Sequence, residues 1–387
     1  MTKGFINTDF KVGILGGGQL GKMMALAAGN WHFPIHFLDL SIEFPAGPYG
    51  MSFTEGNFKN YDDVYQFGKQ MDVLSIEIEH VNTDALLQLE KEGVIVHPAP
   101  AQLNIIKDKG LQKQFYTQHG LPTSAYKLYA DKEALLEAIA SDACPYPFVQ
   151  KSREAGYDGK GVAVIKGPDD LGKILSGPCM VEDLVDIDKE LSVVVARNQS
   201  GEIASFDTVE MEFNAEANLV EFLFCPANIS AEQEIQAQKL AIACMEAYGI
   251  CGLLAVELFL DKAGNIWVNE VAPRPHNSGH HTIDACYTSQ FEQHLRAITD
   301  LPLGSTKIKA PVAIMVNLLG APGQTGKADY KGLEELLAIE GVYPHLYGKA
   351  ITKPFRKMGH ATIIGNDFET TKAKALKVQE LLQIVAQ

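Results

Sequence analysis

The sequence predicts an α/β unit built on a doubly wound parallel sheet, then an α+β unit, then a small C-terminal unit. Three observations carry that prediction. Short apolar runs alternate with helical patterns over residues 1–104, the rhythm of a parallel sheet with crossover helices. From 105 to 302 the chain shows longer strands, a glycine-rich loop and one long helix. From 303 to 387 a few further strands precede a terminal helix. A length of 387 residues suits two or three domains at roughly 150 residues each.

In the first unit, residues 11–15 read as a strand that runs into Gly16-Gly17-Gly18-Gln19-Leu20-Gly21. An Ala- and Met-rich helix follows at 22–28, and a strand at 35–38 ends on Asp39. Residues 73–78 read as a strand, 83–92 as a helix and 94–96 as a short strand. In the second unit a helix at 109–119 stops at Gly120, and a strand at 148–151 ends in Lys151. Strands follow at 162–165, 180–183, 190–196 and 203–208, then a long helix at 231–248 stopped by Gly249. Residues 254–260 and 265–271 form a hairpin turning at Asp261-Lys262-Ala263-Gly264. In the third unit, strands are expected at 312–318, 343–347 and 360–364 and a helix at 373–384. No internal repeat or low-complexity tract interrupts the chain.

Composition excludes several classes. The formal charge, 33 minus 48 or -15, argues against a nucleic-acid or membrane-surface binder. It leaves room for a local cluster of Lys and Arg that holds a small anion. No apolar stretch reaches the roughly 18 residues of a membrane span, and the N-terminus MTKGFINTDF lacks an apolar signal core. The six cysteines contain no CxxC pair, so they read as reduced thiols of a cytoplasmic protein and not as a zinc site.

Five motifs carry chemistry. Gly16-x-Gly18-x-x-Gly21 sits between strand and helix, where backbone N–H groups can meet an anion. Asp39 follows Gly21 by 18 residues, near the spacing of a ribose-binding acid. A dinucleotide, another phosphate-bearing ligand and plain packing all fit this turn. Lys151-Ser-Arg-Glu-Ala-Gly156-Tyr157-Asp158-Gly159-Lys160-Gly161 joins a strand-end lysine to a loop able to fold over phosphates, or is a solvated hairpin turn. Glu257 and Glu270 each stand among apolar neighbours on the hairpin, and pairing puts them on one face. Two facing carboxylates favour a Mg²⁺ ion, with Asn269 as a neutral oxygen nearby, unless both simply face solvent.

Pro273-Arg274-Pro275-His276-Asn277-Ser278-Gly279-His280-His281 follows at once. Arg274 can grip a planar oxyanion. The hard carboxylates and missing thiol partners argue against zinc, and His280 and His281 are equally compatible with plain core or surface positions. Lys349, Lys353, Arg356 and Lys357 place four cations in nine residues, a phosphate clamp or a solvated run. Glu77, Glu79 and His80 close a buried-looking strand, where acids often face a ligand crevice.

The order of these elements resembles the ATP-grasp superfamily. More closely, GGGQLG, IEIEH, GYDGKG, NEVAPRPHNSGH and RKMGH are similar to the N5-carboxyaminoimidazole ribonucleotide synthetase family, over about residues 11–365. GYDGKG together with RPHNSGH is a specific pair, whereas GGGQLG alone is weak. The resemblance implies an ATP-grasp fold with an N-terminal pre-ATP-grasp domain, and a C–N bond-forming ligase of purine biosynthesis. ATP would phosphorylate bicarbonate to carboxyphosphate, which would carboxylate the amine of 5-aminoimidazole ribonucleotide.

By matching positions, Lys109, Lys151, Gly156, Tyr157, Asp158, Gly159, Lys160, Gly161, Val162, Glu182, Asp183, Leu184, Val185, Glu190, Asn269 and Glu270 would bind ATP. Glu257 and Glu270 would hold Mg²⁺. Tyr157, Asp158, Arg274, His276 and Asn277 would carry the bicarbonate and acceptor chemistry. Gln19, Leu20, Glu77, Asn277, Lys349, Arg356 and Lys357 would hold the ribonucleotide. A homodimer is implied, and the GYDGKG loop as a lid. Three positions depart from the family pattern: Val162 for Gln, Lys109 for a frequent Arg, and Met211-Glu212-Phe213 for Asn-x-His. Formate-dependent glycinamide ribonucleotide formylation is a sister chemistry on the same fold. A dinucleotide oxidoreductase and a non-catalytic nucleotide sensor are the other readings.

Overall fold

The computed structural model describes residues 9–154, 161–214 and 219–387. The N-terminal sheet contains β1 (Val12–Leu15), β2 (Ile35–Asp39), β3 (Ser52–Glu55), β4 (Val73–Ile76) and β5 (Ile95–Val96), in the order β3-β2-β1-β4-β5. All its pairs are parallel. Helices α1 (Gln19–Gly29), α2 (Tyr61–Gly68), α3 (Thr83–Lys91) and α4 (Pro100–Lys107) accompany it. The order reverses between β1 and β4, so the ligand crevice of an open α/β sheet falls at their C-terminal ends. β4 stops at Ile76, two residues short of the expected strand. Glu77 and Glu79 therefore follow the strand and are not part of it.

Helix α5 (Lys109–Gln118) starts the second region. Its cap, Asp108, accepts from the N–H groups of Gly110 at 2.8 Å and Leu111 at 3.1 Å. A small antiparallel sheet follows, made of β6 (Tyr126–Tyr129), β7 (Phe148–Ser152), β8 (Val162–Ile165) and β9 (Cys179–Asp183), with α6 (Lys132–Ala140) packed on it.

The large sheet takes β10 (Ile187–Arg197), β11 (Ile203–Ser205), β12 (Val209–Asn214), β13 (Leu219–Cys225), β14 (Gly252–Asp261) and β15 (Ile266–Ala272). The long helix α7 (Ala231–Tyr248) lies between β13 and β14 in sequence. A capping box of Ser230 and Gln233 opens it, and Gly249 at φ 61° closes it in the left-handed region. Its buried side chains Ala241, Met245 and Tyr248 pack on Leu254, Val256 and Leu258. Each of those large side chains contributes roughly 1.5–3 kcal/mol on burial.

Helices α8 (Thr282–Ala285) and α9 (Gln290–Ile298) lead to β16 (Val312–Leu319). Then come β17 (Gly326–Lys331), α10 (Leu333–Leu337), β18 (Val342–Leu346), β19 (Ile351–Thr352) and β20 (Lys357–Gly365). β13 pairs with β16, so the large sheet runs β15-β14-β10-β12-β13-β16-β20-β18 and continues past residue 302. The expected terminal helix at 373–384 is instead α11 (Phe368–Leu381) followed by β21 (Gln383–Ala386). β21 pairs with β17, a long-range ladder that outweighs local helical patterning.

Candidate active site

The hairpin of β14 and β15 supplies the acidic centre. Glu257 and Glu270 are direct cross-strand partners, as their patterning predicts. The register then slips, so that Leu258 faces Val268 and Asn269 is the extra residue. Such a bulge re-aims a side chain. Here Asn269 Oδ1 accepts from Lys151 Nζ at 2.8 Å. Glu270 is ion-paired with Lys109, and Glu257 Oε1 lies 3.5 Å from His276 Nε2. Burial, then the charge on Glu270, pushes the Glu257 carboxyl up. Glu270 is also pushed up by burial, but Lys109 and Lys151 outweigh that and hold it down.

This donor set fits a divalent cation, because a cation between the two acids would offset both the burial and the mutual repulsion that push Glu257 up. Among the described residues no group of three or more His, Cys, Asp or Glu is arranged to hold a metal. A pair of acids suits an ion that takes its other ligands from phosphate and water.

Lys151 and Glu182 share a face of the β7–β9 pair, since Glu182 stands opposite Val149. Glu182 Oε2 is 2.6 Å from Lys151 Nζ, and its Oε1 is 2.5 Å from Lys113 Nζ. Burial raises the Glu182 carboxyl, but the two lysines overcome it and bring it to about 2. Glu190 stands across from Phe259 on β10, with Ser192 across from Glu257. Burial lifts its carboxyl to about 7, with Lys151 opposing.

Asp183 and Leu184 are exposed and Val185 is half-buried. Asp183 and Val185 border a second cavity of about 690 Å³ that also reaches Trp267. Val162 is exposed at the start of β8. Of the glycine-rich loop, Gly156, Tyr157, Asp158, Gly159 and Lys160 lie outside the described residues. Gly161 is described: it has φ +76° and its carbonyl accepts from Ser152 N–H at 2.8 Å. Arg153, on the chain leading into the loop, grips Asp108 through two N–H donors at 2.9 and 2.6 Å.

The N-terminal turn differs from a dinucleotide site. Gly18 and Gly21 both donate backbone N–H groups to the carboxylate of Glu77. Gly17 donates to Asp39 Oδ2 at 2.7 Å. A Cβ at Gly16 or Gly18 would run into Glu77. The donors a pyrophosphate would need are thus taken by the chain's own acids, and Asp39 braces the turn. Burial raises Glu77 to about 7 against the pull of these hydrogen bonds. Glu79 leaves the turn in another direction and meets Arg274, with Nε 2.8 Å from Oε1. Arg274 Nη1 also donates to the carbonyl of Pro275 at 3.0 Å.

The loop after β15 is held from three sides. Gln290 accepts from His276 N–H at 2.9 Å and donates to His276 O at 2.7 Å. His276 Nδ1 meets Ser278 Oγ at 2.9 Å, and that hydroxyl meets Ser192 Oγ at 2.8 Å. Asn277 and Asn317 exchange two amide hydrogen bonds, each 2.9 Å. His280 and His281 are buried. Burial drives both down, His281 to about 4, which keeps them neutral; His281 is a core group, and His280 reaches the wall of the main cavity. In the basic run, Lys349 Nζ donates to Lys357 O at 2.7 Å, Arg356 donates to Ile351 O, and Lys353 is exposed.

One cavity of about 610 Å³ gathers much of this. Gln19, Leu20, Glu77 and Glu79 line it from the N-terminal region, and Lys109, Glu257, Glu270, Arg274, His276 and Asn277 from the middle. Tyr347 and Lys357 line it from the C-terminal region. Lys151, linked to both Glu182 and Asn269, does not line it, and neither do those two residues. Lys349 and Arg356 sit beside Lys357 without lining it. Sequence reasoning missed Lys113, Asp108, Gln290 and Asn317. Only Asp108, a helix cap preceding a basic residue, left a readable signal.

Comparison with known proteins adds the family. An ATP-grasp domain model matches residues 114–291, a ribonucleotide synthetase preATP-grasp domain matches 10–107, and a phosphoribosylaminoimidazole carboxylase C-terminal domain matches 313–374. The chain is 36% identical over 376 residues to an N5-carboxyaminoimidazole ribonucleotide synthase of Synechococcus elongatus, covering 96% of this chain and 93% of that protein. It is 37% identical to a chloroplastic phosphoribosylaminoimidazole carboxylase of Vigna aconitifolia over 94% of its own length, but spans only 65% of that longer protein. The crystal structure of N5-carboxyaminoimidazole ribonucleotide synthetase from Thermotoga maritima superposes with a TM-score of 0.89 at 42% identity, covering 98% of this chain and 100% of that one. An Aspergillus clavatus synthase in complex with ADP and 5-aminoimidazole ribonucleotide gives a TM-score of 0.87 at 31% identity, covering 96% and 99%.

Proposed function

We propose an activity from the premise that the chain belongs to the N5-carboxyaminoimidazole ribonucleotide synthase family, with the ATP-grasp fold. It uses ATP and bicarbonate to carboxylate the amine of 5-aminoimidazole ribonucleotide, giving the N5-carboxy product, ADP and phosphate. A bicarbonate oxygen attacks the γ-phosphorus of ATP and the bond to ADP breaks. The amine then attacks the carboxyl carbon of carboxyphosphate, loses a proton, and phosphate leaves with the bridging oxygen. The observation that carries this reading is a single cavity joining Lys109, Glu257 and Glu270 to Arg274, His276 and Asn277, with Glu77 and Lys357 at its other walls.

Glu257 and Glu270 are the residues that would hold Mg²⁺, with Asn269 near the phosphates, and the ion would supply positive charge against them during transfer. Lys109 and Lys151 bring ammonium donors to the same phosphates. Arg274, fixed by Glu79, offers its remaining N–H groups to the bicarbonate carboxyl. Asn277, fixed by Asn317, lies toward the acceptor. Gln19, Leu20, Glu77 and Lys357 line the wall proposed for the ribonucleotide, with Lys349 and Arg356 supporting Lys357. Tyr157 and Asp158 complete the acceptor set in the glycine-rich loop. Enclosure of carboxyphosphate from water protects a labile intermediate.

The match of residues 313–374 to a phosphoribosylaminoimidazole carboxylase domain weighs against formyl transfer to glycinamide ribonucleotide. We further assign a homodimer and a cytoplasmic setting, in keeping with six free cysteines. The test is ADP release from MgATP with each acceptor. Release that needs both bicarbonate and 5-aminoimidazole ribonucleotide supports the reading. Release with formate and glycinamide ribonucleotide overturns the substrate.

A further inference from the structure

We infer that Lys113 is a positioning residue that keeps Lys151 available to a nucleotide phosphate, acting through Glu182. This rests on the reading above in one respect, that Lys151 meets nucleotide phosphates. Lys113 lies on α5 one turn after Lys109, where a helical lysine would ordinarily reach solvent. Here it is 1% exposed. Its Nζ is enclosed by Glu182 Oε1 at 2.5 Å, Thr123 Oγ1 at 2.5 Å and Ser124 Oγ at 3.1 Å. Lys113 itself lines neither cavity, so it works on its neighbours.

Glu182 is 3% exposed and is shared between two ammonium groups, Lys113 and Lys151. A carboxylate this deep cannot stay charged without a partner. With Lys113 present, its charge is met from behind, and the trio carries one net positive charge whose outer member is Lys151. Lys151 also reaches forward to Asn269 Oδ1, on the bulge beside Glu270, so that charge faces the acidic centre. Without Lys113, Glu182 and Lys151 would form a closed neutral pair. Lys151 would then have to abandon a buried carboxylate to reach a phosphate. Thr123 fixes the arrangement further, since its hydroxyl donates to Val268 O at 2.7 Å on the strand that carries the bulge. Burial brings the Lys113 ammonium down to about 8, with Glu182 the main group opposing, which agrees with a lysine sustained chiefly by that carboxylate.

The test measures affinity and not turnover, so it does not depend on which acceptor is carboxylated. MgADP and adenosine dissociation constants are compared for the unaltered chain, Lys113→Met, Glu182→Gln and the double variant. Lys113→Met is expected to weaken MgADP by about tenfold or more and leave adenosine within about twofold. The double variant is expected to return MgADP affinity to within about threefold of the unaltered chain. Equal losses for MgADP and adenosine would mark a structural role and overturn the inference, as would a double variant no better than Lys113→Met. Should Lys113→Met fail to fold, Glu182→Gln and the charge-balanced double still decide. Lys113 acting only through Glu182 predicts the same MgADP affinity in both, and a tenfold or larger gap refutes it. An unaltered chain that binds no MgADP would instead overturn the nucleotide reading, and this role with it.

Discussion

Replacing Glu79 by Gln isolates the contact that aims Arg274. The two charged atoms are 2.8 Å apart and both side chains are under a fifth exposed, so solvent screens them only in part. At an effective dielectric near 20 the gross attraction is about 6 kcal/mol. Most of it offsets the cost of taking both charges out of water, and a hydrogen bond to a charged group nets about 1.5–3 kcal/mol. The amide keeps the shape and loses the charge. If Arg274 acts on the bicarbonate carboxyl, kcat/KM for bicarbonate should fall about 30-fold, the equivalent of about 2 kcal/mol. The assay is steady-state ADP release with 5-aminoimidazole ribonucleotide saturating. MgADP affinity should stay near that of the unaltered chain, because the residues proposed to hold the phosphates, Lys109 and Lys151, are left intact. A kcat/KM within about twofold of the unaltered chain would refute the reasoning, for it would mean that Arg274 keeps its place without Glu79.

Three further outcomes are expected. Glu270→Gln removes one of the two proposed Mg²⁺ ligands and should lower acceptor-dependent ADP release by about a hundredfold or more; near-normal turnover would remove Glu270 from the metal assignment. Glu190 has a raised folded-state pKa of about 7, so the folded chain binds more protons than the unfolded one between its ordinary range and that value. Its contribution to stability is therefore present at low pH and lost as pH rises toward and through 7. In urea unfolding of the nucleotide-free protein, Glu190→Gln should gain on the unaltered chain from pH 5 to pH 8, and a constant difference would contradict the assignment. Gly249→Ala forces a side chain into the left-handed cap of α7 and should cost about 1 kcal/mol in the same unfolding assay; no loss would mean that the cap relaxes freely.

What the sequence made legible was mostly local. Glu257 and Glu270 stood out because apolar neighbours bracketed them on two strands joined by a short turn, and period-two alternation then fixed their common face. Gly249 and the long helix before it were readable for the same reason. The bulge at Asn269 was not, because a one-residue slip in pairing leaves no periodic trace. Lys113 looked like any lysine on an amphipathic helix; only the fold shows that Glu182, 69 positions away, comes to meet it. The N-terminal glycine turn carried a real anion signal, but the anions turned out to be Glu77 and Asp39 of the chain itself. Strand β21 was misread as helix because its partner β17 lies more than fifty residues earlier, beyond any local pattern. The pairs Glu79–Arg274 and Asn277–Asn317 likewise join distant segments, and local periodicity does not encode such pairings.

The central claim is that bicarbonate is activated by phosphoryl transfer before the amine is carboxylated. Oxygen-18 in bicarbonate tests it most directly. Turnover is run with freshly dissolved labelled bicarbonate, MgATP and 5-aminoimidazole ribonucleotide, quenched before the label exchanges with water, and the released phosphate is analysed by mass. Carboxyphosphate requires the bridging oxygen to depart with phosphorus, so each phosphate should carry one labelled oxygen. Unlabelled phosphate, formed as fast as the carboxylated product, would contradict the account.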